Sequence, residues 1–226
     1  MIKTIAFDAD DTLWINEPYF RDAERQFLAL MSSYVPEQTA LDALTEIELK
    51  SISIYGYGAK GFTFSMLETA LQLCKEELPG QTTRKILELG RSLMSVPIRL
   101  LDGVEETLEY LAPKYRIVLA TKGDLLDQQH KLERSGLGHY FEHVEVMSEK
   151  DQKSYTRLMQ KLRLPSREFM MVGNSARSDI LPVLEIGAYA VHIPYHVTWC
   201  HEMVEGPIEH ARYRRLDSVR ELTTFL

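Results

Sequence analysis

The sequence has few cysteines, few residues that break secondary structure, and no long apolar run. Two of its 226 residues are cysteines, Cys74 and Cys200. Their separation gives neither a disulfide framework nor metal-ligand spacing, so we expect two reduced thiols. Nine prolines and 12 glycines are too few for a disordered or collagen-like chain. No apolar stretch approaches the roughly 18 residues of a membrane span, so we expect no membrane partner.

The sequence also has fewer basic residues than acidic ones. Lysine and arginine together number 26 against 33 acidic residues, which gives a net charge of -7. Such a chain has no long-range attraction for nucleic acid or anionic lipid, so we expect a small-molecule ligand and no nucleic-acid partner. Residues 1–7 run directly into acidic residues, unlike a signal peptide, and the cytoplasm is the expected location. The oligomeric state stays unknown.

Short apolar runs that end in polar residues recur along the chain and alternate with helix-like segments. This alternation predicts an α/β fold with a Rossmann-like parallel sheet. The predicted strands are residues 2–7, 115–120, 141–147, 169–172 and 189–193. Helices are predicted at residues 104–111, 125–135, 154–164 and 178–186.

The alternation is interrupted between residues 17 and 97, where the pattern indicates helices at 18–33, 36–51, 64–78 and 82–95. We therefore predict an α/β core domain made of residues 1–16 and 98–226, with an inserted all-helical cap domain at 17–97. A segment rich in glycine and aromatic residues, 55–62, lies inside this insertion. It is either a connecting turn or a loop that brings Lys60 to a substrate.

Polar side chains follow the predicted strands at the sheet edge where parallel α/β proteins bind ligands. Asp8 and Asp10 are two residues apart, which in a continuing strand places both on one face. Close carboxylates bind a hard cation or share a proton, a combination that suits a nucleophile beside a general acid. The alternative is a polar turn at residues 8–12. The other strand ends carry Thr121, Lys122, Lys150, Asn174 and Asp179.

The residues at the other strand ends each have a structural interpretation beside the functional one. Thr121 is a helix cap or part of an anion cradle. Lys150 is a surface lysine or a site residue, with Lys153 as its rival, and Asp179 is a carboxylate favoured at a helix start or a ligand. A short basic patch near the C-terminus indicates a solvated surface, and it consists of Arg212, Arg214 and Arg215.

Taken together, these residues resemble the four ordered motifs of the haloacid dehalogenase superfamily. Residues 7–13, Phe-Asp-Ala-Asp-Asp-Thr-Leu, are similar to the first motif of its phosphohydrolase branch. Thr121 resembles the second motif, Lys150 the third, and residues 173–179 the fourth. The helical insertion lies where this family has a cap between its first two motifs.

The resemblance implies a Mg²⁺-dependent hydrolase of a small phosphate monoester. Asp8 would be the nucleophile that forms an aspartyl phosphate, and Asp10 the acid and then the base. Thr121 and Lys150 would grip the phosphoryl group, with Lys122 and Lys60 as further substrate contacts. Mg²⁺ would be held by Asp8, Asp179 and the Asp10 backbone carbonyl. Asn174 stands where many members carry Asp, and the loss of that negative charge should weaken or rearrange the water-mediated shell of the metal.

Two other functions remain open at this point. A phosphomutase would use the same covalent chemistry but return the phosphoryl group to a sugar. A phosphoacceptor switch that resembles response-regulator receivers also combines acids, Thr and Lys, although receivers are about half this length and lack a cap.

Overall fold

The computed structural model describes residues 1–75, 77–204 and 206–226, and all their side chains except those of Cys200 and Phe225. Cys74 is buried and forms no disulfide. The expectation of a second reduced thiol at Cys200 falls outside the described side chains.

The described residues form one six-stranded sheet in which every neighbouring pair is parallel. The strand order is β3-β2-β1-β4-β5-β6. The strands are β1 (Thr4–Phe7), β2 (Arg116–Lys122), β3 (His143–Met147), β4 (Phe169–Gly173), β5 (Tyr189–His192) and β6 (Tyr213–Arg215). The predicted Rossmann-like α/β fold is confirmed.

Strand β6 is not predicted by the sequence. Its Arg214 and Arg215 are exposed, as expected for a solvated surface. Such exposed residues do not form the apolar run from which the other strands are predicted. Because β6 lies at the edge of the sheet, its side chains need no apolar pattern. An edge strand of this kind leaves almost no hydrophobic signal.

Alternation along β1 divides the core into two layers, one on each face of the sheet. Ile5 and Phe7 pack on one face, in the cluster that contains Leu108. Ala6 packs on the other face, in the cluster that contains Tyr155. Burial of both faces explains why the parallel strands read as continuous apolar runs.

Each of the eight predicted helices has a counterpart in the structure. The helices are α1 (Glu17–Met31), α2 (Glu37–Tyr55), α3 (Ala59–Leu73), α4 (Gly80–Ser95), α5 (Val104–Leu111), α6 (Leu125–Ser135), α7 (Gln152–Leu162), α8 (Leu181–Glu185) and α9 (Leu222–Phe225). However, α3 begins and ends five residues before the predicted segment 64–78, and α9 is not predicted.

One predicted helix differs in kind. The segment expected as a single helix at 178–186 starts earlier, with a π-helical turn at Ala176–Ile180, and continues as α8. Ser175 caps this turn by accepting a hydrogen bond from the Ser178 backbone N–H. π-helical turns are rare and often mark functional positions.

Backbone contacts divide the chain into two compact units. One consists of Met1–Glu17, Ile98–Lys122 and Gln128–Leu226, and contains the sheet. The other consists of Pro18–Pro97 and Gly123–Asp127. Its helices α1 to α4 pack around a separate apolar core that includes Phe27, Leu44 and Met66.

The glycine-rich segment of the helical unit connects α2 to α3. Gly56 and Gly58 adopt positive φ angles of 74° and 98°, and α3 begins at Ala59. Among the described residues, the structure has no helix whose length and apolar character would let it cross a membrane.

Candidate active site

The site lies in the α/β unit where the strand order reverses. β1 has β2 on one side and β4 on the other. The chain runs from β1 to β2 but from β4 to β5, so the connections of these two adjacent strands run in opposite directions. In open parallel sheets this point opens a crevice at the carboxyl ends of the strands. Asp8 follows β1 directly, and its backbone N–H donates to the Val172 carbonyl of β4.

Three charged side chains meet at this edge. The Lys150 ammonium lies 2.5 Å from Asp8 Oδ1 and 2.6 Å from Asp179 Oδ1. All three residues are buried, with 7%, 3% and 0% exposure for Asp8, Lys150 and Asp179. Lys153, its rival in sequence, is exposed. One ammonium therefore bridges two buried carboxylates. The three groups together carry one negative formal charge in a poorly hydrated environment.

The pKa values of Asp8 and Lys150 are shifted by burial and by the charges beside them. Burial raises the pKa of the Asp8 carboxyl, the Lys150 ammonium opposes this, and Asp179 raises the pKa further. Burial alone lowers the pKa of Lys150, but the two carboxylates outweigh it and raise that pKa. Lys150 is thus held as a cation between its partners.

Thr12 links Asp8 to Asn174. Its hydroxyl lies 3.3 Å from Asp8 Oδ2 and 3.2 Å from Asn174 Oδ1, and it can donate to one of them at a time. It also accepts a hydrogen bond of 3.1 Å from the Asn174 backbone N–H. The structure therefore brings Asn174 to the same edge as Asp8.

Asp179 is placed by the turn that follows β4. Its Oδ2 accepts a hydrogen bond of 3.0 Å from the Ser175 backbone N–H. Its side chain packs onto Gly173, where an added Cβ atom would lie 2.2 Å from Oδ2. A residue without a side chain is required at position 173 for this approach.

Asp10 has a different surrounding from Asp8. Its carboxylate accepts hydrogen bonds from Trp14 Nε1, Gln128 Nε2 and Lys131 Nζ at 2.7 to 3.0 Å. The sequence predicts that Asp8 and Asp10 lie on one face of a continuing strand. This prediction is wrong, because β1 ends at Phe7 and the chain turns there. The Leu13 backbone N–H bonds back to the Ala9 carbonyl at 2.8 Å.

The remaining predicted residues occupy separate positions. Thr121 is buried, and its hydroxyl donates to the Lys122 carbonyl at 3.3 Å. The Lys122 ammonium donates to Ser178 Oγ at 2.8 Å and contacts Glu202. In the helical unit, Lys60 forms an ion pair of 2.9 Å with Asp124. The proposed contacts of Thr121, Lys122 and Lys60 with a substrate stay predictions.

Comparison with known proteins assigns the family. A family model described as "haloacid dehalogenase-like hydrolase" matches residues 2–187. The chain belongs to this hydrolase family. A haloacid dehalogenase-like hydrolase of Xanthomonas campestris has a solved structure with 38% identity and a TM-score of 0.90. That match covers 99% of this chain and 90% of the other.

Two curated relatives of this hydrolase are also similar in sequence. One is the 5-amino-6-(5-phospho-D-ribitylamino)uracil phosphatase YigB of Escherichia coli, 27% identical over 85% of this chain and 83% of that protein. The other is the glyceraldehyde 3-phosphate phosphatase of Methanothermobacter thermautotrophicus, 24% identical over 96% of this chain and 94% of that protein.

The site of this haloacid dehalogenase-like hydrolase includes residues that the sequence did not reveal. Gln128 and Lys131 lie on α6, three residues apart on one face, and reach Asp10. Glu202, at the end of a short 3₁₀ helix (Cys200–Glu202), contacts Lys122, Ser175 and Ser178. Only the helical spacing of Gln128 and Lys131 could have drawn attention to them.

The oxygen donors of this hydrolase fit a hard divalent cation. In the described part of the chain, no group of three or more His, Cys, Asp or Glu side chains is close enough to hold a metal ion. The set implied by the family resemblance needs only two carboxylates, Asp8 and Asp179, with a backbone carbonyl. Carboxylate and carbonyl oxygens are the donors that Mg²⁺ prefers. The two carboxylates together carry more negative charge than the single Lys150 ammonium between them neutralises.

Proposed function

We propose that the protein is a Mg²⁺-dependent phosphohydrolase that cleaves a small phosphate monoester through an aspartyl phosphate on Asp8. The single observation that carries this proposal is the buried cluster in which Lys150 bridges Asp8 and Asp179. Such a cluster presents a carboxylate nucleophile beside a cation that attracts phosphoryl oxygens.

In the first step, a carboxylate oxygen of Asp8 attacks phosphorus and the bond from phosphorus to the ester oxygen breaks. Asp10 gives its proton to the departing oxygen, so that an alcohol leaves. In the second step, Asp10 removes a proton from water, which attacks phosphorus and releases inorganic phosphate and the free Asp8 carboxylate. Lys150 and Thr121 hold the phosphoryl oxygens throughout.

The proposed metal ligands are the Asp8 and Asp179 carboxylates and the Asp10 carbonyl, with Asn174 near them. When bound, Mg²⁺ supplies positive charge that offsets the repulsion between a carboxylate and a phosphate dianion. Asn174 is neutral where many members of the family carry Asp. We therefore expect weaker metal binding than an acid at position 174 would give.

The presence of Asp10 favours phosphate esters over alkyl halides. A halide leaves without a proton, whereas an alcohol requires one, and Asp10 is the acid nearest in sequence to Asp8. Both curated relatives are named as phosphatases of small phosphorylated molecules. We accordingly place the substrate among small phosphorylated metabolites and the protein in the cytoplasm, where such compounds are made.

The first experiment replaces Asp8 with Asn and assays a panel of phosphorylated metabolites and p-nitrophenyl phosphate, with Mg²⁺ or with EDTA. We expect the wild type to release phosphate only with Mg²⁺, and Asp8→Asn to lose at least about 1,000-fold in kcat. Asp42→Asn, an exposed acid of α2, is the matched control and should retain activity. Phosphate release by Asp8→Asn at the wild-type rate would refute the proposal.

The products of the same assay distinguish hydrolysis from phosphoryl transfer back to the substrate. A hydrolase releases one inorganic phosphate for each ester consumed. An isomerised phosphate ester with little free phosphate would identify a phosphomutase instead.

A further inference from the structure

We propose that Lys131, assisted by Gln128, is a positioning residue for Asp10 in the protonation of the leaving group. This inference rests on the proposed function, because it assigns a partner to the acid of that reaction. The family resemblance that points to Asp10 does not extend to either residue of α6.

Lys131 is a buried lysine whose ammonium is directed at Asp10. Its residue exposure is 4%, and Nζ lies 3.0 Å from each carboxylate oxygen of Asp10. The same ammonium donates to Asn16 Oδ1 at 2.9 Å. A buried ammonium is costly without partners, so these contacts fix both Lys131 and the carboxylate that it meets.

Gln128 and Trp14 complete the surroundings of the Asp10 carboxylate. Trp14 Nε1 donates to Oδ1 at 2.7 Å, and Gln128 Nε2 donates to Oδ2 at 2.8 Å. Gln128 Nε2 also donates to the Lys122 carbonyl at 3.0 Å, which anchors the amide to the end of β2. Each oxygen of Asp10 therefore has one contact with Lys131 and one with a neutral N–H donor.

The two acids that follow β1 thus have separate ammonium partners. Asp8 shares Lys150 with Asp179, whereas Asp10 has Lys131. This separation keeps Asp10 from competing for Lys150, and it restricts the rotamers of the Asp10 carboxylate. All of these contacts come from donors, so the proton that Asp10 delivers to the leaving oxygen must take the place of one of them. Loss of Lys131 leaves the carboxylate with neutral donors alone and with a wider choice of orientation.

The consequence depends on the leaving group. p-Nitrophenolate leaves readily without a proton, whereas an alkoxide does not, so misplacement of Asp10 harms alkyl phosphates more than aryl phosphates. A structural defect elsewhere in the site would reduce turnover of both substrates alike. The ratio of the two activities therefore isolates the positioning of Asp10.

The experiment compares Lys131→Met with wild type on p-nitrophenyl phosphate and on an alkyl phosphate that wild type hydrolyses. We expect kcat for the alkyl phosphate to fall at least about 10-fold more than kcat for the aryl phosphate, with KM within about 3-fold. Lys131→Arg should restore part of the alkyl activity because it keeps the cation. Lys161→Met, which removes an exposed lysine of α7, is the matched control and should change neither substrate.

A double-mutant cycle tests whether Lys131 acts through Asp10. In an Asp10→Asn background, Lys131→Met should lower kcat by less than about 3-fold, because the acid is already absent. Equal loss on both substrates, or losses that multiply in the double variant, would overturn the inference. If circular dichroism shows that Lys131→Met is unfolded, Gln128→Met replaces it, with a smaller loss expected in the same direction and equal losses counting against the inference.

The failure of this inference is distinguishable from failure of the proposed function. Activity that survives in Asp8→Asn removes the phosphohydrolase mechanism itself. An inactive Asp8→Asn protein together with an unchanged alkyl-to-aryl ratio in Lys131→Met removes only the role of Lys131.

Discussion

Glu202 is distant in sequence from every motif of the site, yet its carboxylate contacts several of the site's neighbours. It accepts hydrogen bonds from Lys122, Ser175 and Ser178. Burial alone raises the pKa of Glu202, but the Lys122 ammonium and the hydroxyl donors outweigh it and hold the pKa at about 2. An ionised Glu202 therefore ties the end of β2 to the turn that carries Asp179.

The depressed pKa of Glu202 predicts a pH-dependent contribution to stability. The folded chain keeps Glu202 ionised down to about pH 2, whereas the unfolded chain protonates it near its ordinary value of 4.5. Its contribution is therefore complete above pH 4.5 and is lost as the pH falls from 4.5 to 2. The shift in the pKa of Glu202 corresponds to a contribution of up to about 3 kcal/mol to the free energy of unfolding.

Urea unfolding of wild type and Glu202→Gln at pH 6 and pH 3 measures this contribution. The variant should be less stable than wild type at pH 6, and the difference should shrink at pH 3. Glu88→Gln, an exposed residue of α4, is the control and should show no such change. A difference between wild type and Glu202→Gln that is equal at both pH values would contradict the expected role.

At the scale of elements, the end of β4 and the π-helical turn after it act together. Gly173 closes the strand, Ser175 caps the turn, and Asp179 folds back so that its carboxylate reaches Lys150. His192 of β5 contacts the Asn174 carbonyl through Nε2 at 2.9 Å and so holds the start of the turn. The position of Asp179 thus depends on the turn that follows β4 and on a side-chain contact from β5.

The contact between Gly173 and Asp179 predicts a large effect of a small substitution. In Gly173→Ala the new methyl group would overlap the Asp179 side chain, which must move away from Lys150. We expect a loss of about 1–3 kcal/mol in the free energy of unfolding and a large fall in kcat. Chemical denaturation and the phosphate-release assay measure the two effects.

Gly80→Ala is the matched control for this substitution. Gly80 starts α4 and has no atom within 4 Å of an added Cβ, so alanine fits there and favours the helix. If Gly173→Ala is as active as Gly80→Ala, the close packing against Asp179 is not needed for the reaction.

The central strands and the convergence of the buried triad could be predicted from the sequence, because apolar runs and parallel order bring their carboxyl ends to one edge. Asp8, Lys150 and Asp179 accordingly meet. The orientation of Asp10 could not be predicted in this way, because a turn at residues 9–13 replaces the strand assumed for it. Exposed β6 and the contacts of Glu202 lack a periodic or local signal, so only the tertiary structure shows them.

At the scale of the whole molecule, excess negative charge connects ion binding to stability. The chain carries a net charge of -7, and part of the excess is the buried pair of carboxylates that share one ammonium. A cation that binds the folded chain at this pair and not the unfolded chain stabilises the fold by mass action.

We therefore expect Mg²⁺ to raise the melting temperature, with a stabilisation of about 2.7 kcal/mol once its concentration reaches 100 times the dissociation constant. Asp179→Asn removes one of the two carboxylates and should abolish most of this shift, whatever its effect on the melting temperature without metal. Asp42→Asn removes an exposed acid of the helical unit and should preserve the shift, which separates site binding from general charge screening. Differential scanning fluorimetry across a Mg²⁺ titration, at constant ionic strength, measures all three proteins. Equal shifts in wild type and Asp179→Asn would show that Mg²⁺ stabilises the protein elsewhere, and the proposed ligand set would then be wrong.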